Sequence, residues 1–221
     1  MAIDLIIRNG KIVTPQSIHE GDDIGVEKGK IFTIDRRGIF AEPKEVIDAT
    51  GKYLLPGIID VHVHFREPGA TYKEDFDTGT MAAAAGGVTT IFDMPDNKPL
   101  ISTVEAFKQK LEMIKKEAYV DYGLVSAIVN DSIPETPKLA EEGINVSKIF
   151  MGETVGGVPA PDDRGILKAL KLVAETGLQV GVHAVNNAIM DFFKAELQKA
   201  DRIDPLAHVE ARPNIAGAET I

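Results

Sequence analysis

The sequence contains no cysteine. That excludes a disulfide framework and a thiolate zinc site, so any metal held by this chain must take nitrogen and oxygen ligands. Positive charge is also scarce: 24 Lys and Arg stand against 34 Asp and Glu, a formal net charge of −10. Nucleic acids and anionic membranes are recognised by clustered Lys and Arg, so neither is an expected partner. No apolar run approaches the ~20 residues that a membrane helix needs. Nor does Met1-Ala2-Ile3-Asp4 open a basic segment followed by an apolar one. A cytoplasmic enzyme acting on small molecules fits these absences. What is present is an ordinary folded composition, 44% hydrophobic over 221 residues, enough for one large domain or two small ones.

The first 55 residues read as short strands without helices. Residues 4–14 are two β-rich runs around Asn9-Gly10, a strong hairpin signal. Residues 23–34 repeat that pattern around a Gly turn, and 45–49 add a further strand. Together they predict a small β-sandwich module over 1–55, with a structural role because no titratable cluster falls there. From residue 56 to 221 the texture is α/β. Strands are expected at 58–64, 88–93, 120–128, 147–151 and 179–184. Helices are expected at 73–85, from a Ser102 cap with Glu105 completing a capping box to about 117, at 135–142 and at 163–176. Such alternation implies parallel strands with right-handed crossovers. It suits either an open doubly wound sheet or part of a (β/α)₈ TIM-type barrel, for which this segment is short of the ~200 residues needed at the least.

In both architectures functional groups gather at the C-terminal ends of the strands. Asp60, His62 and His64 share one face of the first strand, read as a buried one, and its end offers two imidazoles to one ion, with Asp60 placed to orient a ligating ring. Histidines there can equally be solvated or simply hydrogen-bonded. Arg66 points into the same mouth, as a carboxylate clamp or as a partner of Glu67 or Asp75. Asp93 through Asn97 follow the second strand, Lys148 lies in the fourth and His183 ends the fifth, where Gly181 would leave room beside it. Burial lowers a lysine pKa and favours the neutral amine, so Lys148 is either a reactive amine or a side chain that reaches out to solvent or to a carboxylate. His19 and His208 are assigned to the surface.

Pro56-Gly57-Ile58-Ile59-Asp60-Val61-His62-Val63-His64-Phe65-Arg66-Glu67-Pro68-Gly69 opens a longer sentence. It continues through Tyr72-Lys73-Glu74-Asp75-Phe76, Thr78-Gly79-Thr80, Ala82-Ala83-Ala84-Ala85-Gly86-Gly87-Val88-Thr89-Thr90 and Asp93-Met94-Pro95. This run resembles the cyclic amidohydrolases, dihydroorotases most closely. The resemblance implies a (β/α)₈ barrel of which 56–221 is the N-terminal portion, about five βα units, incomplete in this chain. It implies that the N-terminal sheet is completed by strands from a far C-terminus. It further implies two divalent metal ions, zinc being expected, held by His62, His64, His183 and a carbamate on Lys148, with Asp162 or Asp163 as the alternative bridging ligand. The His183 segment, Gly181-Val182-His183-Ala184-Val185-Asn186, departs from the family at Val185, where a glutamate is usual. A last His and the catalytic Asp would lie beyond Ile221.

The implied reaction is metal-dependent hydrolysis or closure of a cyclic amide, with Arg66 and Asn97 binding substrate. Dihydroorotate, in pyrimidine biosynthesis, is the leading substrate. Asp96 stands where dihydroorotases carry Asn, and Asn97 stands where allantoinases carry it, so allantoinase or hydantoinase/dihydropyrimidinase is the alternative. A non-catalytic amidohydrolase-like scaffold is a further one. A homo-oligomer is the expected assembly, and these 221 residues alone are expected to be inactive or nearly so.

Overall fold

A computed structural model describes residues 3–36, 43–152, 154 and 156–221; Met1 and Ala2, the start of the N-terminal stretch considered above, lie outside them. The chain divides into two compact units, Met1–Gly57 and Ile58–Ile221.

The first unit holds β1 (Leu5–Arg8), β2 (Lys11–Val13), β3 (Ile18–Glu20), β4 (Asp22–Glu27), β5 (Lys30–Arg36), β6 (Glu45–Asp48) and β7 (Tyr53–Leu54). They form two sheets, β5-β4-β1-β6 and β3-β2-β7. The β4–β5 pair is an antiparallel hairpin whose Lys28 and Gly29 both have positive φ, as a type I′ turn requires. Asn9-Gly10 does something other than the expected hairpin. Asn9 is left-handed (φ 66°), but β1 pairs with β4 and β6 while β2 pairs with β3 and β7, so the chain crosses from one sheet to the other there. The backbone passes so near Leu54 that a Cβ on Gly10 would lie 2.7 Å from its side chain.

In the second unit β8 (Ile58–Val63), β9 (Val88–Asp93) and β10 (Asp121–Leu124) are parallel, as are β11 (Ser126–Ala127), β12 (Val146–Phe150) and β13 (Gln179–His183). β10 and β11 are one extended run interrupted at Val125, pairing first with β9 and then with β12. The five staves therefore follow one another in sequence order. That is the singly wound order of a barrel wall; a doubly wound sheet reverses direction at a switch point.

The connections are α1 (Phe76–Ala85), α2 (Val104–Ile114), a 3₁₀ turn at Asn130–Glu135 leading into α3 (Thr136–Glu141), and α4 (Asp163–Thr176), which ends at left-handed Gly177 (φ 74°). Thr103, not Ser102, caps α2: it is the extended residue, and its hydroxyl accepts from the Ala106 amide. Phe76, Ile91, Ile101, Phe107, Leu139, Ile149, Ala169 and Val173 form one continuous apolar core. Beyond β13 lie α5 (Asn187–Lys199), α6 (Pro205–Glu210) and α7 (Asn214–Ala218). No helix among the described residues is long and apolar enough to cross a membrane.

β8 is not the buried strand that its Ile and Val content suggests. Among the described residues it pairs only with β9, and Ile58, Ile59 and Val61 are 56–65% exposed. β13 is the opposite edge, pairing among the described residues only with β12.

Candidate active site

Strand alternation sorts β12 into two faces. Ser147 and Ile149 are fully buried on one, while Lys148 and Phe150 project from the other toward the sheet's concave mouth. Across the ladder Lys148 faces Gly181 and Phe150 faces His183. His62 comes from β8, and His64 follows just past its end, where the Met94 amide donates to the Val63 carbonyl (2.8 Å). The two imidazole centroids are 5.2 Å apart. His62, His64, Lys148 and His183 all line one cavity of about 610 Å³, with Arg66 and Asp96 beside them. Sequence reasoning gave site roles to five of these six and named Asp96 only as a position in the loop after the second strand.

Asp96 is the residue whose role the sequence did not show. Its Oδ1 lies 2.7 Å from His64 Nδ1 and its Oδ2 accepts from Arg66 Nη1. A carboxylate only accepts, so a neutral His64 ring donates from Nδ1 and keeps its Nε2 lone pair for a ligand. Burial pushes the Asp96 carboxyl up, but the hydrogen bond from His64 and the Arg66 charge outweigh it, leaving the group below the ordinary carboxylate range. The orienting role expected of Asp60 falls to Asp96 instead, because Asp60 Oδ1 accepts from the backbone amide of His62 (3.0 Å). Its strand position was legible; its short reach back to its own backbone was not. Arg66 pairs with neither Glu67 nor Asp75, which accept from the Phe76 and Thr78 amides. Its φ of 62° is unusual for a non-glycine residue, a strained conformation of the kind that collects at functional sites.

Lys148 is 7% exposed. Desolvation lowers its pKa, no carboxylate opposes that among the described residues, and the solvent-reaching alternative is not adopted. Desolvation also lowers His62 and His183, with the Lys148 charge adding to it. Metal ligation requires unprotonated nitrogens, so this donor set fits the divalent ions implied by the resemblance. Among the described residues no three His, Cys, Asp or Glu side chains are grouped as ligands of one ion, and the gathering depends on the lysine.

Several expectations are corrected. Asn97 does not reach the cavity: it is 6% exposed, its Oδ1 accepts from Lys110 Nζ (2.8 Å), and its Nδ2 donates to the Glu67 carbonyl (3.0 Å). Asp162 caps α4, accepting from the Gly165 amide (2.7 Å), and Asp163 is in that helix's first turn; neither lines the cavity. A Cβ on Gly181 would lie 3.6 Å from Lys148 Cδ, an ordinary contact. Val185 packs on Gly152, where an added Cβ would come within 2.4 Å. His19 is held by Ser17 and Asp22 on the surface, whereas exposed His208 joins the cavity rim with Lys194 and Arg212.

The Amidohydrolase family is matched over residues 53–220. An allantoinase of Desulfitobacterium hafniense (strain Y51) is 36% identical over 99% of this chain and 49% of its own length. A D-hydantoinase of Geobacillus stearothermophilus is 38% identical over 94% and 45%. A dihydroorotase of Methanothermobacter thermautotrophicus is 36% identical over 96% and 46%. The solved L-hydantoinase (dihydropyrimidinase) of Arthrobacter aurescens superposes with a TM-score of 0.93 at 29% identity, covering 99% of this chain and 49% of that one. The chain thus spans about half the length of the curated relatives that it matches. With the family matched across most of its length and relatives above 30% identity covering nearly all of it, this chain belongs to the Amidohydrolase family.

Proposed function

We propose that the whole protein opens or closes a cyclic amide ring by metal-assisted hydrolysis. The observation that supports this most is the gathering of His62, His64, Lys148 and His183 on one cavity. Its volume is within the range of small-molecule sites.

In this reading the three imidazoles and Lys148 hold two divalent ions, zinc by preference, whose chemistry is to acidify a water and polarise the ring carbonyl. Lys148 contributes as a carbamate. Its neutral amine attacks the carbon of carbon dioxide, a C–N bond forms, one C=O bond becomes C–O⁻, and the displaced amine proton passes to water. Asp96 fixes the His64 ring, and Arg66 orients the substrate through the N–H donors that Asp96 leaves free. Among the described residues Asp96 is the only carboxylate on the cavity, and both its oxygens are engaged. For the proton on the leaving nitrogen the resemblance implies a further aspartate. The open edges β8 and β13 are the places where further staves would close the barrel.

The test is metal content and ring opening of the full-length protein, loaded with zinc in bicarbonate, on dihydroorotate, allantoin, hydantoin and dihydrouracil. Zinc-dependent opening of at least one ring, lost in Lys148→Ala, is expected; a protein that binds zinc and opens none is a scaffold instead.

A further inference from the structure

Within that reading, and resting on it, we infer that Asp96 sets the substrate class: by occupying the Arg66 guanidinium it selects a cyclic ureide or imide that bears no carboxylate on its ring. The dihydroorotate expectation needs Arg66 as a free cation. In the structure that cation is already neutralised by Asp96, whose other oxygen is held by His64.

Three features keep Asp96 there. Its side chain is only 7% exposed. Its two oxygens have separate partners, so it cannot swing from one without uncovering the other. The Gly156 backbone closes on it from outside, so near that a Cβ there would lie 2.9 Å from Asp96 Cβ. A ring carboxylate arriving at Arg66 would meet a like charge at contact distance and compete for donors already in use. A neutral ring meets no such conflict. Arg66 has five N–H donors, and those not used by Asp96 can serve a ring carbonyl with the ion pair intact. The other cations of the cavity wall do not replace it. Lys194 and Arg212 are exposed on the rim, where salt screens them, and Arg212 already donates to His208 Nδ1 (3.1 Å).

The deciding pair of compounds is dihydrouracil and dihydroorotate, the same ring without and with a carboxylate. The full-length, zinc-loaded protein is expected to favour dihydrouracil at least tenfold in kcat/KM. Asp96→Asn keeps an acceptor for His64 but releases the guanidinium. It should move the ratio tenfold or more toward dihydroorotate, mainly through KM, and Arg66→Ala added to Asp96→Asn should reverse that gain. A wild-type preference for dihydroorotate, or a ratio unmoved by Asp96→Asn with metal content intact, overturns the inference and leaves the cyclic-amide reading standing. Should none of the four rings, allantoin and hydantoin included, open in any variant, that reading fails. Calorimetric affinities of the two rings for wild type and Asp96→Asn then judge Asp96 alone, an unmoved ratio overturning it.

Discussion

Lys110 of α2 and Asp93 at the end of β9 form an ion pair whose side chains are 1% and 0% exposed. Burial pushes the Lys110 amine down and the Asp93 carboxyl up, each opposed by the other's charge and hydrogen bond. The pair binds outward as well: Asp93 Oδ1 accepts from the Phe65 amide, and Lys110 reaches Asn97, whose amide holds the Glu67 carbonyl. It therefore clamps the segment carrying Arg66 to the segment carrying Asp96. Removing one partner of a buried pair strands the other's charge, so Lys110→Met should cost about 3–5 kcal/mol. Lys110→Met with Asp93→Asn should cost less than the sum of the two singles, with a coupling of ~1 kcal/mol or more. Urea unfolding of the four proteins checks this; strictly additive losses would mean that the pair is not coupled.

The lysine on the cavity makes a prediction about metal that needs no substrate. Zinc retained by the full-length protein after dialysis should rise with bicarbonate in wild type, since a carbamate needs carbon dioxide, and should be low and indifferent to bicarbonate in Lys148→Ala. Atomic emission measures both. Equal zinc in the two proteins would return Lys148 to the role of a buried amine.

Asp204 contributes to the acid limb of stability. It caps α6, accepting from the Leu206 and Ala207 amides, and Arg202 donates to it through Nε (2.6 Å). That hydrogen bond is the largest cause holding its carboxyl at about 2, below the ordinary 3.8. A folded pKa below the unfolded one means stability fully present above the unfolded value and lost as pH falls through the folded one. The contribution should therefore drain away between about pH 4 and pH 2. A carboxyl-carbon NMR titration should place the Asp204 midpoint near 2, and Asp204→Asn should flatten the acid limb of the unfolding curve in that window.

Much of this was legible before any coordinates, because it rests on short-range rules. Strand alternation put His62 and His64 at one strand end and Lys148 opposite a strand bearing His183, and the βα rhythm gave parallel staves. What was not legible depended on tertiary reach. Asn9-Gly10 has the dihedral preferences of a hairpin but not, in itself, a choice of sheet for the strands on either side. Asn97 and Asp96 are adjacent in sequence, yet one faces the interior where Lys110 waits and the other faces the mouth. Composition does not fix the burial of β8, since an edge strand and a central one can carry the same Ile and Val.

Two glycines on the site should respond oppositely to the same methyl group. At Gly181 a Cβ would meet Lys148 Cδ at 3.6 Å, an ordinary contact, so Gly181→Ala should change stability by less than about 1 kcal/mol and leave zinc retention as in wild type. At Gly156 a Cβ would lie 2.9 Å from Asp96 Cβ and 3.0 Å from its Oδ2. The nearest atom is next to the backbone rather than at the end of a flexible chain, so Asp96 itself must give way. Overpacking of this kind costs about 1–3 kcal/mol. The functional cost should exceed the structural one, because the displaced carboxylate is the one that holds both His64 and Arg66. Thermal unfolding and ring-opening kinetics of Gly156→Ala in the full-length protein, run beside Gly181→Ala, separate the two. If Gly156→Ala lowers the melting temperature but leaves kcat/KM untouched, Asp96 can move without consequence and its hold on the site is looser than its contacts imply.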